Sequence, residues 1–242
     1  KKWPQETALK GYMVHTKNGK DDENFFTPND FNARFCPKAH YNQGIMTKEL
    51  ILASSSRYRR ELLDRLGIAY TCESPDIDES SLPGETPQDT AMRLAEMKAR
   101  AIWVKHPGAV VIGSDQVADL AGEKLGKPHT RENAIKQLQR MQGNEVVFTT
   151  ALCVIDAEGK AETVKSQTTI RMRALSDETI ADYVDREKPF DCAGAAKIER
   201  LGIALMESVT SDDPTSLIGL PLMKLTTLLT HANVTVLAGL KA

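Results

Sequence analysis

Ala109-Val110-Val111-Ile112-Gly113-Ser114-Asp115-Gln116 opens with an uninterrupted apolar run and then turns polar. A continuous apolar run of this length fits a strand buried on both faces, which is the signature of a central strand in an α/β sheet. The carboxylate of Asp115 then falls at the strand's end, where open α/β sheets place their ligands. The same pattern also fits a turn with an Asp cap. On either side of this strand the chain alternates. Upstream, Glu49-Leu50-Ile51-Leu52-Ala53 reads as a short strand and Ser54-Ser55-Ser56 as a turn and helix N-cap. Arg57 to Leu66 follows as a helix closed by Gly67, and Ile68 to Cys72 as a second strand. Pro87 suits the first position of a helix reaching about Lys105, with Ala91, Leu94, Ala95, Ala99 and Ile102 at helical spacing.

Downstream, Val117 to Leu120 and Lys124-Leu125 read as hairpin arms about Ala121-Gly122. Thr130 caps a helix ending near Gln142. Val146 to Val154 and Thr163 to Met172 are strands around the turn Asp156-Ala157-Glu158-Gly159. Ser176 caps a helix to about Asp185, Ile203 to Met206 is a short strand, and Pro214–Ile218 and Pro221–His231 are helical. Helices alternating with strands, interrupted by a hairpin, predict an α/β domain with a mixed, mostly parallel twisted sheet flanked by helices.

Composition sets the outer limits. The 242 residues hold 31 Lys+Arg and 33 Asp+Glu, a net charge of −2. That balance argues against a nucleic-acid partner, which needs a basic surplus. No window approaches the ~20 apolar residues of a membrane span, so no membrane partner is expected. Lys1 and Lys2 are followed by no apolar stretch of the kind a secretory signal needs. Cys36, Cys72, Cys153 and Cys192 are widely separated, which fits free thiols in a reducing cytoplasm. Seven of the thirteen aromatics lie in the first 45 residues, beside only three Ile, Leu or Val. Residues 1–45 are therefore expected to be an N-terminal extension outside the fold, with the domain proper at 46–242 and Met46 as its natural start.

Five further segments carry candidate chemistry. Ser54-Ser55-Ser56-Arg57-Tyr58-Arg59-Arg60 brings hydroxyls, backbone N–H groups and guanidinium groups to a helix N-terminus. Cations there oppose the helix dipole, so an anion such as phosphate would explain them; a plain N-cap is the alternative. Asp76-Ile77-Asp78-Glu79 offers oxygen ligands for Mg²⁺ or Mn²⁺, or is a solvated acidic loop. Lys127, in Gly126-Lys127-Pro128, and Lys98, on the long helix, could meet phosphate as point charges or be ordinary surface lysines. In Cys192-Ala193-Gly194-Ala195-Ala196-Lys197-Ile198-Glu199, Lys197 and Glu199 would share a strand face.

The ordered set resembles the Maf family of nucleotide pyrophosphatases: S-x-S-x-x-R-R after a strand, an acidic pair, a helical lysine, G-S-D-Q, G-K-P, then C-A-G-x-x-K-x-E, over about residues 48–231. The resemblance implies a Maf/inosine-triphosphatase-like fold. It also implies hydrolysis of nucleoside triphosphates to monophosphate and pyrophosphate with a divalent metal cation, Mg or Mn, in a homodimeric enzyme. Asp115 would be the general base. Ser54, Arg59, Lys98 and Lys127 would hold the triphosphate, and Glu79 would help bind metal. Tyr58, Gln116 and Glu199 match positions that set specificity. An aromatic at 58 and a carboxylate at 199 are similar to the branch acting on 7-methyl-GTP. A Tyr face can attract a cationic methylated ring, and a carboxylate can accept from its N–H groups. A nucleotidyltransferase and a non-catalytic nucleotide-binding regulator of cell division are the competing functions.

Overall fold

In a computed structural model, residues 48–240 are described. The expected extension at 1–45 lies outside them. Seven strands form one sheet in the order β2-β1-β3-β5-β6-β7, with β4 pairing β3. The strands are β1 (Leu50–Leu52), β2 (Thr71–Cys72), β3 (Val110–Leu120), β4 (Glu123–Leu125), β5 (Glu145–Ile155), β6 (Ala161–Met172) and β7 (Met206–Ser211). The helices are α1 (Arg57–Asp64), α2 (Pro87–Trp103), α3 (Arg131–Met141), α4 (Asp177–Glu187) and α5 (Leu222–His231). Four of them start at side-chain caps: Ser56, Thr86, Thr130 and Ser176 each accept a hydrogen bond from the backbone N–H three residues on, and all but Thr86 were expected as caps.

The sheet is mixed, as expected, but its balance is antiparallel. Only β1 runs parallel to its neighbours, β2 and β3. The pairs β3–β4, β3–β5, β5–β6 and β6–β7 are all antiparallel. Two of these pairs, β3–β4 and β5–β6, follow from their connections, because the short turns after β3 and β5 can join only antiparallel strands. Three further expectations need correction. The segment Ala109–Gly113 and the arm Val117–Leu120 are one 11-residue strand, because β5 pairs with β3 without interruption from Val111↔Ile155 to Asp119↔Val147. Leu201–Leu205 is a 3₁₀ turn, and the strand placed at Ile203–Met206 instead begins at Met206. The helical segment expected at Pro214–Ile218 is a 3₁₀ turn at Ser216–Ile218.

Alternation along the strands divides the core. Ile51 and Val111 face α2, where Ala91, Ala95 and Ala99 pack closely. Leu50, Leu52, Val110 and Ile112 face the other way, onto α1 and α5. Ala118, Leu138, Val184 and Tyr183 belong to a separate cluster under α3 and α4. Between the last two clusters, the even-numbered face of β3 carries Ser114 and Gln116 rather than apolar side chains.

Candidate active site

The sheet opens beside the middle of β3. The last register pair of β1 is Leu52↔Ile112, and β4 pairs with β3 only from Ala118. Along this stretch, residues 113–117 of β3 are held by β5 on one side and border a cleft on the other. The cleft has a volume of about 720 Å³. Asp115 is thus inside a strand rather than at its end. It nevertheless occupies the crevice beyond the carboxyl end of β1, where a parallel neighbour has stopped.

Asp115 shares a strand face with Gly113 and so points to α2. Lys98, one turn beyond Leu94 on that helix, puts Nζ 2.7 Å from Asp115 Oδ1 and 3.0 Å from Glu79 Oε1. The Lys98 and Asp115 side chains are 7% and 9% exposed, so this pair lies deep in the cleft, while Glu79 at 54% stands at its rim. Burial pushes the Glu79 carboxyl up, but Lys98, Lys127 and Arg59 outweigh that and hold it below its ordinary value.

On the opposite face, Ser114 Oγ donates to the carbonyls of Ala151 (2.9 Å) and Gly219 (3.1 Å). Gln116 Nε2 donates to Ser216 O, Leu217 O and Thr150 Oγ1. These contacts fix the Gln116 amide orientation and lay the 216–219 turn along the cleft wall. Arg59 extends from α1 to the same turn, donating from Nε to Gly219 O at 2.9 Å and from Nη1 to Ser54 Oγ at 3.4 Å. Burial lowers the Arg59 pKa, and Asp115 and Glu79 oppose the shift. An arginine starts so far above neutrality that it remains a cation. Ser54, Ser55, Ser56 and Lys127 complete the lining around it. Of the basic turn expected to need an anion, only Arg59 is drawn deep into the site. Arg57 instead covers one face of Tyr58, 4.7 Å from the ring centroid.

The loop that follows Glu79 is pinned by a clamp that sequence reading missed. Arg93, on α2, meets Glu85 through Nε–Oε1 (2.6 Å) and Nη2–Oε2 (2.8 Å), and Nη2 also donates to Ser80 O at 2.9 Å. Glu85 further accepts from Leu82 N and Thr90 Oγ1. The Arg93 fork and these donors hold the Glu85 carboxyl down at about 2. A carboxyl whose folded pKa is depressed stabilises the fold above its unfolded value, near 4.3, and loses that contribution as pH falls toward 2. We expect Glu85→Gln to melt below the wild type at pH 7, and the gap to narrow as pH falls below about 4.3. Melting curves across that range check it; a gap independent of pH would refute the ionic clamp.

The last sequence expectations divide. Tyr58 lines the cleft, and its hydroxyl donates to Asp191 Oδ2 at 3.1 Å. Lys197 and Glu199 do not share a strand face, because residues 193–200 form a 3₁₀ turn and a further turn. Lys197 is buried, its ammonium donating to the carbonyls of Glu187 (3.0 Å) and Lys188 (3.2 Å) at the end of α4. Glu199 is exposed and does not line the cleft. Asp191 and His129 do line it and were not foreseen. Among the described residues, no cluster of three or more His, Cys, Asp or Glu side chains could hold a metal ion by itself. The donor set does fit a hard cation shared with a ligand: two carboxylates, Glu79 and Asp115, converge on one ammonium in a cation-lined cleft, and Mg²⁺ is commonly held by one or two carboxylates plus substrate phosphates. No helix of the described residues is long and apolar enough to cross a membrane.

A mixed α/β sheet with a cationic cleft beside a mid-strand carboxylate defines a domain suited to polyanionic ligands. The chain belongs to the Maf-like protein family, whose model matches residues 49–232. A protein of Aromatoleum aromaticum named 7-methyl-GTP pyrophosphatase is 53% identical over 182 residues, covering 75% of this chain and 94% of that one. Proteins of the same name from Cupriavidus metallidurans and Bordetella pertussis are 54% and 52% identical, covering 76% and 79% of this chain and 93% and 96% of their own. Among solved structures, a HAM1 protein from Coxiella burnetii aligns with a TM-score of 0.43 at 16% identity, covering 76% of this chain and 100% of that one.

Proposed function

We propose that the protein is a nucleoside triphosphate pyrophosphatase acting on 7-methyl-GTP or a closely related modified nucleotide. The observation that carries this reading is the buried Lys98–Asp115 contact, with Glu79 on the same ammonium, in a cleft walled by Arg59, Ser54 and Lys127. The names of relatives about half identical to this chain support it.

In this reading Arg59, Ser54 and Lys127 bind the triphosphate, Arg59 as a planar fork and Lys127 as a point charge. Asp115 Oδ1 is engaged by Lys98, while Oδ2 accepts no hydrogen bond from the described residues and is positioned to take a proton from water. That water attacks the α-phosphorus; the bond to the bridging oxygen breaks, releasing pyrophosphate and leaving the monophosphate. Lys98 spreads positive charge toward both the carboxylate and the departing group. A divalent cation, Mg²⁺ or Mn²⁺, held by Glu79 would neutralise further triphosphate charge. Positioning and fixed charge account for most of the acceleration. Tyr58 and Gln116 shape the base end of the cleft. A cytoplasmic homodimer whose catalytic unit is residues 46–242 completes the reading; a chain beginning at Met46 should keep full activity.

The test is incubation with Mg²⁺ or Mn²⁺ and a panel of triphosphates, including 7-methyl-GTP, with no acceptor present. Equal amounts of monophosphate and pyrophosphate are expected. Pyrophosphate only when an acceptor is added would indicate a transferase, and binding without turnover would indicate a regulator.

A further inference from the structure

Besides Glu79 and Asp115 the cleft is lined by a third carboxylate, Asp191, whose surroundings differ from theirs. Asp191 faces Tyr58, which donates its hydroxyl to both carboxylate oxygens at 3.1 and 3.3 Å. Lys197 Nζ stands 3.5 Å from Oδ1, and the Cys192 thiol donates weakly to the same oxygen. Behind Tyr58 lies the Arg57 guanidinium. Among the described residues, no hydrogen bond joins this group to Lys98, Asp115 or Glu79. Burial pushes the Asp191 carboxyl up, but Lys197 and the hydrogen bonds outweigh it and keep it ionised. Burial drives the Cys192 thiol up to about 12, so the thiol stays neutral and adds no second anion.

A fixed anion in a triphosphate cleft repels phosphate. It belongs beside a part of the nucleotide that presents donors. Of the common bases, only a guanine-type ring offers two adjacent donors, N1–H and the 2-amino group, on one edge. Adenine and cytosine each offer one exocyclic amine beside an acceptor, and uracil offers one N–H between two carbonyls. Two carboxylate oxygens match the guanine pair. Resting on the pyrophosphatase reading above, we infer that Asp191 is a specificity-determining residue that accepts from the N1–H and 2-amino edge of a guanine-type base, with the Tyr58 ring beside it. Glu199, exposed outside the cleft, does not fill this role in the structure. A methylated, cationic guanine is favoured further, because the carboxylate adds charge attraction to the hydrogen bonds.

The experiment compares guanine with hypoxanthine, which lacks only the 2-amino group. The wild type should favour GTP over ITP at least tenfold in kcat/KM, since sites built around a donor reject the analogue lacking it. Asp191→Asn keeps the shape and can still accept from Tyr58. It should bring the ratio below threefold through KM, with kcat within about twofold. Equilibrium binding of both nucleotides to Asp115→Asn and to the double variant with Asp191→Asn gives the same ratio without turnover. If the wild type hydrolyses nothing, the pyrophosphatase reading fails and the binding ratio alone judges Asp191. A guanine-to-hypoxanthine ratio unchanged by Asp191→Asn overturns the inference, as does a ratio that collapses only in Glu199→Gln.

Discussion

Asp115→Asn is expected to reduce kcat for nucleotide hydrolysis by about 10²- to 10⁴-fold, the range a positioned general base supplies. The substitution is nearly isosteric. Its amide oxygen can still accept from Lys98, which sits 2.7 Å from Oδ1 in the native protein, and Lys98 keeps Glu79 at 3.0 Å. The buried ammonium is therefore not stranded, and the fold should survive. What disappears is the group able to take a proton from water. The variant also removes one negative charge from a cleft that holds a polyanion, so triphosphate affinity should be unchanged or tighter. Single-turnover hydrolysis and calorimetric binding, measured on the same preparation, separate the two effects. Hydrolysis of 7-methyl-GTP at near wild-type rate would refute the assignment of the base. Weakened binding with normal turnover would make Asp115 a binding residue instead.

The parts of this site legible in the sequence are those fixed by neighbours along the chain. Each helix cap depends on a side chain reaching a backbone N–H three residues away, so Ser56, Thr130 and Ser176 could be read directly, and at the start of α2 the sequence signal was Pro87 beside the cap Thr86. Asp115, Lys98 and Arg59 were legible through the ordered motifs. What could not be read depends on chain segments far apart. Asp115 reads as strand-ending because Ser114-Asp115-Gln116 is polar; the strand continues through it because the partner strand β5 supplies an unbroken ladder. Tyr58 and Asp191 are 133 positions apart, so their contact could not be read along the chain, although Asp191 directly precedes the Cys192-Ala193-Gly194 motif. Lys197 resembles a surface lysine until α4 ends over it: two terminal carbonyls and the negative end of the helix dipole receive its ammonium. Arg93 reads as one more helical charge, and its role appears only when the 74–86 loop folds back so that Glu85 and the Ser80 carbonyl meet its fork.

Gly113→Ala should produce the largest loss of stability of any single methyl group added at the site. A Cβ at 113 would lie 2.2 Å from the Ala95 carbonyl oxygen, 2.8 Å from Ala99 N and 2.9 Å from Ala99 Cβ. Two of these are helix backbone atoms, which cannot rotate aside as a side chain could. The contact relaxes only by lifting α2 off β3, which opens the layer where Ala91, Ala95, Ala99 and Val111 are packed. Overpacking of this kind costs about 3 kcal/mol. In a domain of this size that lowers the melting temperature by about 6–12 °C. The same displacement reaches the chemistry, because Lys98 lies between Ala95 and Ala99 on the helix that must move. A shift near 1 Å in a catalytic contact is enough to cost ~10²-fold in rate, so kcat should fall along with stability even well below the new melting point. Gly126→Ala is the control: nothing lies within 4 Å of its added Cβ, and its melting temperature should stay within about 1 °C of wild type. If Gly113→Ala melts as the wild type does, α2 and β3 are not in the close contact that sets Lys98 against Asp115, and the geometry of the site would have to be redrawn from that helix outward.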